Sequence, residues 1–349
     1  MEKLRNNNFD FLRLVGAVLV IVGHGYILQG EAAPKIFTVS VSTWGVYIFF
    51  SLSGYLIAGS FDRDPRIFEY FLKRSLRLFP ALFLVVLLTV LLLGPLVTSL
   101  SAWNYFSNVT AWNYFTNSVL YVRYFLPGVF ETNTFPNAVN GSLWSLPAEF
   151  AAYLLVPIIG QLSLRWRAPL AILLATLCLF GSAYIESSVD WHPVFYATEV
   201  RAALSVMAFF YAGASYWYLR KKIKTSLELC LFILISYGII FSFGDGSVQR
   251  IAIVTFVPAL PYIVLVLARR ELLSLPNAGR YGDFSYGLYL YSFPVQQLLV
   301  QEFGNRLHLN ISVFFAFCIS FFLAVLSWRF VEEPALRFKP KPKFITTEA

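Results

Sequence analysis

The chain is dominated by stretches of about 20 mostly apolar residues, the length a helix needs to cross a bilayer core roughly 30 Å thick. Ten such runs can be read, at 9–28, 39–59, 78–97, 146–164, 168–185, 200–219, 227–243, 249–268, 284–302 and 311–331. Only 13% of the residues are charged and 58% are hydrophobic, too few polar groups to clothe a soluble globule. The same balance excludes a disordered chain and a conventional nucleic-acid binder. The expected fold class is therefore an all-α polytopic membrane bundle of about ten transmembrane helices. Cys178, Cys230 and Cys318 all lie inside apolar runs, which excludes a disulfide scaffold and a cysteine zinc site. With only three histidines besides, no metal site is expected.

Orientation follows from the basic residues of the connections. If the N-terminus is cytoplasmic and the runs alternate, only Lys35, Arg123, Arg250 and Arg306 fall outside. Arg13, Arg201 and Arg329 lie within or at the ends of runs. Every other lysine and arginine, from Lys3 and Arg5 through Arg269 and Arg270 to Lys341 and Lys343, falls inside. Both termini are thus expected in the cytoplasm, with 1–337 as the integral membrane domain and 338–349 as a short basic tail. The net charge of +8 then answers to topology and anionic membrane lipid, and no nucleic-acid partner is needed. Lys3 and Arg5 before an apolar stretch resemble a signal peptide, but Asp10 and Arg13 interrupt it and no small-residue cleavage site follows. Trp44, Trp103, Trp112, Trp144, Trp166, Trp191 and Trp328 sit near run ends, as an interfacial belt does. The connection at 98–145 carries a near-repeat, Ala102-Trp103-Asn104-Tyr105-Phe106 and Ala111-Trp112-Asn113-Tyr114-Phe115, and reads as an interfacial or re-entrant segment. Its Asn133, Asn137 and Asn140, with Pro127 and Pro136, supply turn chemistry.

Ionisable groups within apolar runs are costly and by default mark function. In the first run, His24 lies eleven positions after Arg13. That is about 1100° of helical turn, so both project from one face, about 16 Å apart along the axis. Asp10 sits one turn before Arg13 and can pair with it. Gly23 and Gly25 thin the helix on either side of His24. Glu149 opens the fourth run, just after Trp144 and Pro147. There it serves either the helix macrodipole or as a carboxylate partner that fixes the His24 tautomer. Arg74 and Arg77, where the third helix starts, are three apart and so neighbours on one face; they are either positive-inside anchors or a forked pair suited to phosphates. Ser53-Gly54 permits close helix packing or hydrogen-bonds the polar seam.

Six segments in this order resemble the family 3 membrane acyltransferases, which O-acylate bacterial surface polysaccharides and other glycans with acyl-CoA. They are Phe9-Asp10-Phe11-Leu12-Arg13 through Val22-Gly23-His24; Phe49-Phe50-Ser51-Leu52-Ser53-Gly54-Tyr55; Arg74-Ser75-Leu76-Arg77-Leu78-Phe79-Pro80; and Leu143-Trp144-Ser145-Leu146-Pro147-Ala148-Glu149-Phe150. Phe284-Ser285-Tyr286-Gly287-Leu288-Tyr289 and Phe330-Val331-Glu332-Glu333-Pro334 follow. The resemblance implies that Arg13 and His24 are the family's paired arginine and histidine, that Arg74 and Arg77 belong to the acyl-CoA side, and that Glu149 is the fourth-helix glutamate. Where many members carry a histidine in the ninth-helix motif, this chain has Ser292, which places more weight on His24.

These readings imply a multi-pass enzyme of the bacterial inner membrane, with no permanently bound cofactor and with acyl-CoA, most simply acetyl-CoA, as co-substrate. The acceptor is a surface or lipid-linked glycan. Donor phosphates meet Arg74, Arg77 and Arg13, and His24, oriented by Glu149, acts as general base or itself accepts the acyl group. Asp10, Ser53 and Trp144 support the site. The competing class is a polytopic transporter or flippase of a polysaccharide-assembly system; against it, the two halves show no evident internal repeat.

Overall fold

The computed structural model describes residues 8–188, 191–269, 275–276 and 278–340. Lys3, Arg5, Arg270, Lys341 and Lys343, and most of the expected basic tail, lie outside the described residues. All ten apolar runs are helical. In chain order they are α1 (Phe9–Leu28), α2 (Val41–Arg63) and α3 (Ile67–Leu88), then α6 (Ser145–Gln161), α7 (Leu164–Ser187), α8 (Val200–Leu219), α9 (Leu227–Phe243), α10 (Gly246–Ala268), α11 (Ser285–Phe303) and α12 (Leu309–Ser327). Two short helices, α4 (Ala102–Ser107) and α5 (Val109–Asn113), lie in the long connection. Among the described residues, seven helices are long and apolar enough to cross a membrane. Of the other three, α9 has 17 residues, while α8 and α11 carry tyrosines, and in α11 glutamines, that lower their apolarity. Most of the α11 side chains are buried by neighbouring helices, so lipid-facing hydrophobicity is not demanded of them.

The third run is longer than the sequence reading placed it. α3 begins at Ile67 and continues through a π turn to Val97, 31 residues in all, so Arg74 and Arg77 lie inside it. Pro80 lies within the same helix and does not end it. The 98–145 connection, expected as an interfacial or re-entrant segment, holds short helical turns. Its two repeat copies fall on separate elements, and in both the tryptophan is exposed (Trp103, Trp112) while the tyrosine is buried (Tyr105, Tyr114). Asn133 donates to both the backbone and side-chain oxygens of Gln297, and Asn140 to the Leu290 carbonyl, tying the connection to α11. Trp44 departs from the belt expected of it: it is buried, and its Nε1 donates to the Ile36 carbonyl at 2.9 Å.

Among the described residues, two hairpins interrupt the succession of helices, β1 (Lys35–Ile36) with β2 (Val39–Ser40) and β3 (Val194–Phe195) with β4 (Thr198–Glu199). Each turns on two positive-φ residues, Phe37-Thr38 and Tyr196-Ala197. Two-residue turns of this hand match strand twist but normally recruit Gly or Asn, so no turn residue announces them in the sequence. The hairpins also reveal an internal repeat that the sequence conceals. Helix, hairpin and helix recur in one register: Leu28, Lys35, Val39 and Val41 correspond to Ser187, Val194, Thr198 and Val200. Phe50 and Gly54 of α2 correspond to Phe209 and Gly213 of α8. Contact across the repeat is reciprocal. A Cβ on Gly54 would lie 1.8 Å from the Phe210 carbonyl oxygen, and one on Gly213 2.2 Å from that of Ser51. Only glycine at both positions lets α2 and α8 approach this closely.

Candidate active site

The basic residues that the sequence assigns to one side gather at one end of the bundle, and the two hairpins at the other. At the arginine end a cavity of about 410 Å³ opens between α1 at Arg13, residues 46–63 of α2, residues 74–78 of α3, the first half of α6, the start of α11 and the segment that follows α12. Five cationic side chains face it (Arg13, Arg63, Arg74, Arg77 and Lys339), against two carboxylates, Glu149 and Asp283. Asp283 is the hub. Its Oδ2 accepts from Arg77 at 2.6 Å and from Arg13 at 3.1 Å, and Ser285 donates to its Oδ1 from both backbone and hydroxyl. Burial pushes the Asp283 carboxyl up, but Arg77, Arg13 and the Ser285 hydrogen bonds more than offset this and hold it at about 2. Arg77 also donates to Glu332 at 3.3 Å, and Arg13 to Asp10 at 3.4 Å, as its spacing predicts.

Arg74 differs from its neighbour. Among the described residues it has no ion-pair partner, and its Nε is buried without a hydrogen bond. A guanidinium left unpaired on a cavity wall is an anion site in waiting. Trp328 likewise leaves the expected belt and lines this cavity, beside the Arg77 guanidinium at 5.7 Å from its ring centre. Lys339, expected only as part of the basic tail, folds back onto the cavity. Burial, with Arg74, Arg77 and Arg13 nearby, brings its ammonium down to about 8.

At the hairpin end a second cavity of about 210 Å³ holds His24. Its walls are equivalent stretches of the internal repeat: Ser42, Thr43, Val46 and Tyr47 on α2 face Arg201, Ala202, Ser205 and Val206 on α8. Trp144 and Tyr289 complete it. The Tyr47 hydroxyl hydrogen-bonds Ser205 at 2.8 Å, and Arg201 is held by Glu199 and Glu186 at 2.8 and 2.7 Å. The His24 ring packs edge-on against Phe293. Its Nδ1 is buried with no hydrogen-bond partner among the described residues, which leaves Nε2 as the ring nitrogen able to meet a ligand. Glycine on each side is required, since a Cβ on Gly23 or Gly25 would come within 2.6 Å of Ser42 or 2.4 Å of Val313.

Arg13 and His24 both stand on α1, Arg13 lining the arginine cavity and His24 the hairpin cavity. The pairing of Glu149 with His24 is not formed. Glu149 faces the arginine cavity instead, where its Oε1 accepts from Ser53 Oγ at 3.1 Å and from the Tyr153 hydroxyl. It is also the fifth residue of α6, beyond the first turn that the macrodipole favours. Ser53-Gly54 does both jobs allowed for it, one residue bonding the seam and the other admitting α8. Ser292, the position of a second histidine in many family members, is fully buried and lines neither cavity. Asp283, Lys339 and Arg201 were not read from the sequence as site residues. The segment Gly282-Asp283-Phe284 before an apolar run was the one signal available for Asp283.

Comparison with known proteins places the chain in a family. The model of the family described as "Acyltransferase domain" matches residues 6–329, and the chain belongs to these family 3 acyltransferases. It is an O-acyltransferase. It is 30% identical to an "O-acetyl transferase" of Shigella phage Sf6, over 97% of this chain and 98% of that protein. It is 28% identical to "Nodulation protein 10" of Rhizobium leguminosarum bv. viciae, over 95% and 94%. With the "Putative peptidoglycan O-acetyltransferase YrhL" of Bacillus subtilis it shares 26% identity, over 83% of this chain and 50% of that one. No solved structure matches it.

Proposed function

We propose that this enzyme moves an acyl group, acetyl foremost, from cytoplasmic acyl-CoA to a hydroxyl of a cell-surface or lipid-linked glycan in the bacterial inner membrane. The observation that carries this reading is that Arg13 and His24, on one face of one helix, line two different cavities near its two ends. The arginine end faces the cytoplasm, in keeping with its basic residues. Arg74, Arg13 and Lys339 take the donor phosphates, and the pantetheine arm extends along α1 towards the second cavity. Glu149 acts in the donor cavity as a positioning residue, holding Ser53 and Tyr153 on the wall. The glycan enters from the hairpin end, where hydroxyls and Arg201 suit a polyol.

His24 Nε2 takes the proton of the acceptor hydroxyl as its oxygen attacks the acyl carbonyl. The carbon–sulfur bond then breaks, and the proton passes to the departing thiolate, giving an ester and free CoA. Purified protein in vesicles, supplied with acetyl-CoA labelled in its acetyl group and a lipid-linked glycan, tests this. Label appears in the glycan as ester; label released only as free acetate, or none at all, contradicts it.

The same assay carries a pH prediction. The Lys339 ammonium is charged below about 8 and neutral above it. A cation facing the donor phosphates is therefore present at pH 7 and lost as pH rises to 9. The KM for acyl-CoA is expected to rise about tenfold across that range, the scale of one charge-assisted hydrogen bond. In Lys339→Met the KM is already high at pH 7, and the rise disappears. Equal slopes in the two proteins would remove Lys339 from the donor site.

A further inference from the structure

The two cavities share two residues, Val46 and Tyr289, and no others. Both belong to rigid parts of the bundle. Val46 is 7% exposed and sits mid-helix on α2, where a β-branched side chain keeps essentially one rotamer. Tyr289 is 6% exposed, and its hydroxyl is fixed twice, donating to the Ser142 carbonyl at 2.6 Å and lying 2.6 Å from Ser145 Oγ. Its ring is braced edge-on by Phe49. A swing of this ring breaks both hydrogen bonds.

On the reaction proposed above, the acyl carbon has to reach His24 from the arginine cavity, and this shared wall stands in its way. We propose that Val46 and Tyr289 form a collar that selects the acyl group by size, admitting acetyl and rejecting longer chains. The inference rests on the two-cavity reading and adds the specificity determinant to it. Nothing else common to the two cavities can perform that selection, because the remaining lining residues face one side only. A collar that cannot yield discriminates steeply. One methylene against an unsuited apolar wall costs about ten- to 200-fold in kcat/KM.

The test compares acetyl-, propionyl- and butyryl-CoA on the purified protein with one glycan acceptor. In the unaltered enzyme, kcat/KM falls at least about tenfold for each added carbon. Val46→Ala raises the butyryl-to-acetyl ratio by about tenfold or more, and Val46→Leu lowers it. Tyr289→Phe keeps the ring but frees it from both hydrogen bonds, and raises the ratio by a smaller factor. A general packing defect lowers all three donors together and leaves the ratio alone, so the ratio isolates the collar. If Val46→Ala is inactive with every donor, the leucine and phenylalanine variants decide the matter by the same ratio. A ratio that stays constant in the active variants overturns the collar. Absence of transfer from any acyl-CoA by the unaltered enzyme overturns the two-cavity reading instead.

Discussion

Replacing His24 with alanine is expected to lower kcat for acyl transfer by roughly 10²- to 10⁴-fold, the contribution of a positioned general base. The KM for acyl-CoA should hardly move, because the ring lines the hairpin cavity and none of the donor phosphate site. The buried, unpartnered Nδ1 sharpens this expectation. Among the described residues no carboxylate bonds the imidazole, so substitutions of Glu149 act separately from those of His24. Glu149→Gln keeps an oxygen that can accept from Ser53 and Tyr153, and it should cost far less than His24→Ala. Steady-state kinetics on the two variants, with insertion checked by yield of folded protein, measures the difference. Similar losses in both variants would restore the paired mechanism that the sequence first favours.

The second large effect separates two arginines three residues apart. Arg77 holds Asp283 and Glu332, the latter 2% exposed, at the junction of α3, α11 and the end of α12. Removing one partner of a buried pair strands the other charges, at about 3–5 kcal/mol. Arg77→Ala is therefore expected to lower the thermal midpoint and the yield of folded protein sharply. Among the described residues Arg74 has no such partner. Arg74→Met leaves stability nearly intact and raises the donor KM roughly 10- to 100-fold, as expected for a lost charge-assisted contact. Thermal unfolding in detergent alongside donor kinetics checks the pair. Equal stability losses would show that Arg74 is structural after all.

The contrast also shows how far a sequence reading reaches in this chain. The ten apolar runs and the Arg13–His24 stripe were legible, because both depend only on helix geometry along one segment. Asp10 with Arg13 was legible for the same reason. Arg74 and Arg77 were indistinguishable in sequence, since their difference is made by Asp283 and Glu332, which arrive from elsewhere in the chain. The Glu149 error has a related origin. Topology places the start of α6 near the depth of His24, but rotation of α6 about its own axis is set by packing against Ser53 and by Tyr153 one turn on. The internal repeat was hidden because its matching residues are backbone positions, namely two hairpin turns and two close glycines, with little shared side-chain identity around them. Trp44 and Trp328 show the limit of reading aromatics by position alone, one being tucked under a hairpin and the other lying beside an arginine.

The central claim is that one helix links a donor cavity at the arginine end to an acceptor cavity at the hairpin end. Vesicles holding the enzyme in a single known orientation test it most directly, because acetyl-CoA does not cross the bilayer and the glycan acceptor can be confined to either side. Ester is expected to form only when donor and acceptor are on opposite sides, with the donor on the side of Arg74 and Lys339. Equal transfer with both substrates confined to one side would contradict the account.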